Sequence, residues 1–247
     1  MENQDLIIEG RNLILEALKA DRSIDRLFVI DSEQQSGPMK AIIAEARKRG
    51  VLVKFESKDY LDKISVTKKH QGVIAYVAAY DYVEVEDMLK IAEEKNEAPF
   101  LILLDSIEDP HNLGAIIRTA NIAGAHGVII PKRRAVGLTA TVAKTSAGAI
   151  EYTPVARVTN LARTLDDLKE KGVWVACADM DGEIMYKVDL KGPLCIVVGG
   201  EGAGVSKLVK EKCDFIARIP MKGEISSLNA SVATAVMVFE AVRQRMK

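Results

Sequence analysis

The chain has 247 residues, enough for one large or two ordinary domains, and 48% hydrophobic with 28% charged residues is the make-up of a globular protein with a sizeable core. A net charge of −1 argues against nucleic-acid binding through global charge. No apolar run reaches bilayer length, the start MENQDLIIEGRN lacks the basic-then-apolar form of a signal peptide, and Cys177, Cys195 and Cys213 are too widely spaced for a CxxC pair. With His70, His111 and His126 equally scattered, the expectation is a cytoplasmic protein with free thiols, no membrane segment and no metal.

Residues 1–79 alternate helix-like and strand-like pieces: an amphipathic helix over Arg11 to Ala20, the strand RLFVI, a helix over Pro38 to Arg49, the strand VLVKF, a Ser57-capped helix and the strand GVIAYVAAY. That alternation predicts a small α/β domain. His70 and Gln71 read as a turn ahead of its last strand. An acidic stretch holds the boundary, with a linker at 80–84 and a helix through Lys95.

A second α/β domain is predicted over 85–247. FLILLD is continuously apolar, as strands buried on both faces are. A helix over Leu113 to Ala125, the strand GVIIP and a helix over Thr139 to Ala149 follow. An Asn160-capped helix then leads to the strands VWVACA and PLCIVVGG, a helix over Val205 to Lys212, and a last strand, Phe215 to Ile219. In the final helix Leu228, Val232, Val236, Phe239 and Val242 recur at helical spacing, and Ala233, Ala235 and Val238 make it apolar on most sides, so it is expected to pack inside.

Strand-to-helix loops of one parallel sheet emerge on a common edge and can build one site. Three qualify: 105–114, with Arg118 and Asn121 further along the helix; 199–204, GGEGAG; and 221–229. Ser226 or Ser227 can cap the last helix. GGEGAG is neither G-x-G-x-x-G nor a GK[ST] loop. Glu201 in its middle would repel a pyrophosphate, and the next strand ends Arg218-Ile219-Pro220 with no carboxylate for a ribose. A dinucleotide oxidoreductase is therefore disfavoured, and a cationic ligand such as a sulfonium suits the loop. From Pro110 to Ile150 there is no Asp or Glu, while Arg118, Lys132, Arg133, Arg134 and Lys144 are cationic, which marks a candidate surface for a polyanion.

LDSIEDPHNLGAIIRTANIAGAHGV, IVVGGEGAGVS and IPMKGEISSLNASVATAVMVFE resemble, in order, the three motifs of the SpoU (TrmH-type) RNA 2′-O-ribose methyltransferases of the SPOUT superfamily. GRNLILEAL and HQGVIAYV resemble that family's N-terminal substrate-binding domain, of L30e/L7Ae-like fold. With DPHNLGA, VTNLARTL and FEAVRQR, the layout is most similar to enzymes that methylate a guanosine 2′-OH in 23S rRNA. Departures are slight: Ala230 stands where Val is commoner, and Gly200 where Ala is.

The resemblance implies a SPOUT-type α/β fold with a C-terminal trefoil knot, which topology rules alone would never suggest. It implies S-adenosylmethionine held around Gly199, Gly204, Ile219, Met221 and Leu228, and a homodimer whose sites are completed by the partner. Asn112, Arg118, Glu201, Ser227 and Asn229 match catalytic positions. Arg118 is expected to clamp the phosphate beside the target ribose, since a guanidinium stays protonated at neutral pH. Glu201 is expected to order its loop and pair with Arg118 or an N–H. Asn112, Ser227 and Asn229 are alternatively helix caps. Lys132, Arg133, Arg134 and Lys144 become candidate RNA contacts. His70 with Gln71 is a further position that could touch RNA. Methylation of a tRNA or of a different rRNA nucleotide, and a non-catalytic RNA-binding assembly factor, are the competing readings.

Overall fold

The structure is a computed structural model and describes residues 6–20, 22–32, 35–224 and 227–246. It divides into two compact units, one of residues 1–81 with 137–141 and one of 82–136 with 142–247.

In the first unit the elements are β1 (Leu6–Glu9), α1 (Arg11–Lys19), β2 (Ile24–Ile30), α2 (Gly37–Lys48), β3 (Leu52–Glu56), α3 (Lys58–Ile64) and β4 (Val73–Val77). The sheet order is β1-β4-β2-β3. β2 and β3 are parallel, as alternation requires, but β4 enters between β1 and β2 antiparallel to both. Ile14 and Leu18 of α1 and Met39 and Ile42 of α2 close over Leu27, Val29, Val73 and Ala75. Ser57 caps α3 by accepting from the Tyr60 N–H. β1 escapes the sequence reading because four residues carry too little periodicity to register.

The second unit contains α4 (Val85–Glu94), β5 (Phe100–Asp105), α5 (Pro110–Ile122), β6 (Gly127–Pro131), α6 (Ala140–Thr145), β7 (Val155–Val158), α7 (Leu161–Glu170), β8 (Trp174–Ile184), β9 (Leu194–Gly199), α8 (Lys207–Glu211), β10 (Phe215–Arg218) and α9 (Ala230–Arg245). All six strands are parallel in the order β10-β8-β9-β5-β6-β7. Every residue of β5 is buried. At about 1.5–3 kcal/mol per large apolar side chain, Phe100 to Leu104 anchor the sheet. From β5 the chain moves outward through β6 and β7, then returns to fill the other side. The β5 and β9 loops therefore leave adjacent strands at the point where the winding direction changes.

Four expectations need correction. α5 starts at Pro110, not Leu113: Asp109 caps it by accepting from the His111 N–H, and Pro110 occupies the first turn, where its missing N–H costs nothing. The helix expected over Thr139 to Ala149 stops at Thr145. α9 is not enclosed: Thr234, Met237, Val238 and Ala241 are buried, but Val232 and Phe239 are 47% and 44% exposed. Helical spacing locates an apolar face without saying how many faces are covered. β8 also runs past the predicted VWVACA to Ile184, because its pairing with β10 jumps from Cys177 to Glu183 and loops 178–182 outward.

Candidate active site

Asp105, the last residue of β5, joins the first two loops. Its carbonyl accepts from the Gly200 N–H at 2.8 Å, and its buried carboxylate accepts from the Ser206 N–H at 2.8 Å and the Ser106 hydroxyl at 3.0 Å. The contact is tight in this chain. A Cβ on Gly200 would collide with the Ser106 carbonyl, and one on Gly199 with the backbone of Gly204 and Val205.

Asn112, Glu201 and Asn229, one from each loop region, meet in a single hydrogen-bonded junction. Asn112 Nδ2 donates to Glu201 Oε1 at 3.1 Å; Asn229 Nδ2 donates to the same oxygen at 2.7 Å and to Asn112 Oδ1 at 3.0 Å. Asn229 Oδ1 meanwhile accepts from the Ser231 N–H at 2.9 Å and the Val232 N–H, capping α9. Asn229 is therefore both cap and site residue. Asn112 is no cap, since Asp109 holds that position; it lies buried inside the first turn of α5. Ser227 does not cap α9 either, and Ser226 lies outside the described residues.

Beside the junction is a cavity of about 430 Å³, within the size range of small-molecule sites. All five positions implied for the cofactor, Gly199, Gly204, Ile219, Met221 and Leu228, line it, as do Ser227 and Glu201. Sequence reasoning missed its further wall, the outward loop Ala178 to Asp181. There Lys210 donates to Asp179 at 2.8 Å and Asp181 at 3.0 Å. Burial alone would raise the Asp179 carboxyl, but bonds from Lys210 and the Asp181 N–H hold it below its ordinary value. No spacing rule could have found this wall, because it follows from the register jump of β8.

The cavity suits S-adenosylmethionine. Glycine backbone and aliphatic side chains can cover an adenosine, and the charged side chains lining it, Asp179, Asp181 and Glu201, are all anionic, matching a cationic sulfonium.

Arg118 is not part of this cluster. Its side chain is exposed and has no partner among the described residues; Glu201, expected to pair with it, is engaged by the two asparagine amides instead. Six residues beyond Asn112, Arg118 sits about 9 Å along α5 and about 120° around it, on a different face of the helix. Lys132, Arg133 and Arg134 follow β6 on the same carboxyl edge as the three loops, with Arg133 and Arg134 exposed; Lys144 is exposed on the last turn of α6.

A parallel sheet with glycine loops and an amide–carboxylate junction at its carboxyl edge defines a class. The chain belongs to the SpoU rRNA methylase family, matched over residues 99–239, and carries the RNA 2′-O ribose methyltransferase substrate-binding domain over residues 7–83. Its methyl donor is S-adenosylmethionine. Among its relatives is a protein of Bacillus subtilis, YacO, provisionally named a TrmH family tRNA/rRNA methyltransferase, 50% identical over 99% of this chain and 98% of the relative. A Staphylococcus haemolyticus protein with a similar provisional name is 44% identical over 98% and 97%. The AdoMet-bound rRNA methyltransferase of Sinorhizobium meliloti is 26% identical with a TM-score of 0.58, covering 98% of this chain and 88% of that one.

Proposed function

We propose that this protein transfers the methyl group of S-adenosylmethionine to the ribose 2′-OH of a guanosine in 23S rRNA, acting as a homodimer in the cytoplasm. The observation that carries the reading is the Asn112–Glu201–Asn229 junction at the mouth of a cavity lined by Gly199, Gly204, Ile219, Met221 and Leu228. When bound, the donor supplies an electrophilic methyl on a sulfonium. The chain must then align the ribose oxygen in line with that methyl and take up the hydroxyl proton as the new O–C bond forms and the C–S bond breaks.

The junction holds the rim rigid, with Glu201 fixing the loop that closes over the cofactor and Ser227 contacting the incoming sugar. Arg118 clamps the neighbouring phosphate and favours loss of the 2′-OH proton. Because it does not line its own cavity, it serves the partner's site. The exposed apolar side chains of Val232 and Phe239 on α9 and Ile122 on α5 supply a surface for that partner. Lys132, Arg133, Arg134 and Lys144 carry further RNA backbone. The trefoil knot, the L30e-like character of residues 1–79, the linker at 80–84 and a methyltransferase domain over 85–247 belong to the same proposal.

The substrate is decided by offering 23S rRNA and tRNA from cells lacking the enzyme, then mapping the methylated nucleotide. Transfer to a guanosine of 23S rRNA is expected. Transfer to tRNA alone, the second substrate in the relatives' names, would replace the rRNA reading, and no transfer to either would leave a non-catalytic RNA-binding factor. Dimer action has its own test: mixing inactive Arg118→Ala and Ser227→Ala chains should restore about a quarter of wild-type activity, through mixed dimers with one intact site. Mixed dimers that stay inactive would put Arg118 in its own subunit's site.

A further inference from the structure

The outward loop of β8 walls the cavity without belonging to any of the three sequence motifs. Its ladder with β10 reaches Ile216 opposite Cys177 and resumes at Ala217 opposite Glu183, so residues 178–182 are left out of it. A segment without ladder bonds opens at little cost unless other contacts hold it. Here three do. The Asp181 N–H donates to Asp179 Oδ1 at 3.0 Å, folding the loop on itself. Gly182 comes so close to β10 that a Cβ would lie 2.3 Å from the Ile216 carbonyl oxygen. Lys210 of α8 makes the third tie, its Nζ donating to Asp179 Oδ1 at 2.8 Å and to Asp181 Oδ2 at 3.0 Å.

The carboxylates and the ammonium are not placed alike. Asp179 and Asp181 line the cavity, whereas Lys210 is absent from its lining and stands behind them. A solvated ion pair contributes little, but the side chains of Lys210 and Asp179 are only 23% and 20% exposed, so their bond is largely shielded from water. Lys210 can therefore act on a bound ligand only through the two aspartates it holds.

Two carboxylates against one ammonium leave this wall net negative. Glu201 on the β9 loop adds to it, because its charge is met by two neutral amides. S-adenosylmethionine carries a sulfonium charge, and the thioether left after methyl transfer does not, while the rest of the two molecules is the same. A pocket that reads shape alone would hold both about equally. A fixed negative wall attracts the sulfonium and gains nothing from the thioether, and it acts more strongly in a cavity than in water.

We propose that Lys210 is a positioning residue for the methyl donor: by pinning Asp179 and Asp181 against the cavity, it sustains a negative wall that makes the site favour the sulfonium donor over the neutral thioether product. The inference rests on the assignment of this cavity to S-adenosylmethionine and adds how donor and product are told apart.

The test is calorimetry with S-adenosylmethionine and, separately, S-adenosylhomocysteine. It compares wild type with Asp179→Asn/Asp181→Asn, which keeps an acceptor for Lys210 but removes the charge, with Lys210→Met and with Lys210→Arg. Lys207→Met, at a 91% exposed position on the same helix, is the control and should match wild type. The asparagine pair should bind the donor about tenfold more weakly and the thioether as before, and the donor's advantage in wild type should shrink as salt rises. Lys210→Met takes a positive charge away from the wall, so Coulomb attraction alone would tighten donor binding. Loss of pinning should instead weaken it severalfold, and Lys210→Arg should restore it. Equal changes for both ligands in the asparagine pair, or none, would overturn the wall's role in discrimination. Tighter donor binding by Lys210→Met would overturn the positioning role. If Lys210→Met does not fold in a thermal melt, the asparagine pair and Lys210→Arg decide, and an arginine variant that loses the donor preference counts against the proposal. Wild type giving heat with neither ligand would remove the cofactor assignment itself.

Discussion

The cavity of the second unit differs in kind from the open concavity of the first, which Arg11, Lys58, Asp62, Lys68 and Lys69 line. In the former, backbone is brought so close that a Cβ on Gly199 or Gly200 would force its neighbours to shift, and the polar work falls to two amides sharing one carboxylate oxygen. In the latter, one carboxylate and one imidazole are buried to fix a turn whose exposed side chains are cations. A small ligand with an apolar body is enclosed by shape. The open concavity offers charge and little enclosure, so shape has less to select there.

The contrast is broken most severely by removing the cation that neither region holds in place. Arg118→Ala should lower methyl transfer by about 10³-fold or more while S-adenosylmethionine binds unchanged by calorimetry. Near-normal turnover would remove Arg118 from the reaction. Gly200→Val comes next. Its side chain must displace the Ser106 carbonyl, so donor affinity should fall at least about tenfold and the melting temperature should drop. A variant that binds the donor normally would show that the loop tolerates what the contact forbids.

A finer test separates the two duties of Asn229. Asn229→Ser keeps an oxygen for the α9 cap but removes the amide that reaches Glu201, whereas Asn229→Ala removes both. The serine variant should melt close to wild type, the alanine variant should lose about 1 kcal/mol, and both should lose activity to a similar degree. Equal stability losses would mean the cap contributes nothing.

The smallest effect lies in the first unit and concerns pH. Burial alone would raise the Glu9 carboxyl, but bonds from Thr67, Ser65 and the Val66 and Thr67 N–H groups outweigh it and hold it below its ordinary value. A carboxyl depressed in the folded state stabilises above its unfolded pKa, about 4.3, and that contribution is lost as pH falls through the lower folded value. The melting-temperature gap between wild type and Glu9→Gln should therefore be widest near neutral pH and close in acid. A gap that grows on acidification would contradict the assignment.

Much of this architecture was legible beforehand. The continuous apolar run of β5 announced a strand buried on both faces, and Ser57 and Asn160 announced their helices as caps. The three loops were located by where strands give way to helices. The glycines and Glu201 of the β9 loop argued against a pyrophosphate before any fold was known. These features depend on residues near one another in the chain, where periodicity and capping act.

Other facts had no local signature. That Asn229 spans 117 residues to reach Asn112, and that Arg11 closes on Gln71, are results of strand order. So are the loop of β8 that walls the cavity and the uncovered side of α9. By itself the sequence determined which segments are strands, helices and loops, because hydrophobic period and chain stiffness act over a few residues. Only the tertiary structure decided which side chains meet, because packing a sheet brings distant positions together through its register, and register is a property of the whole sheet.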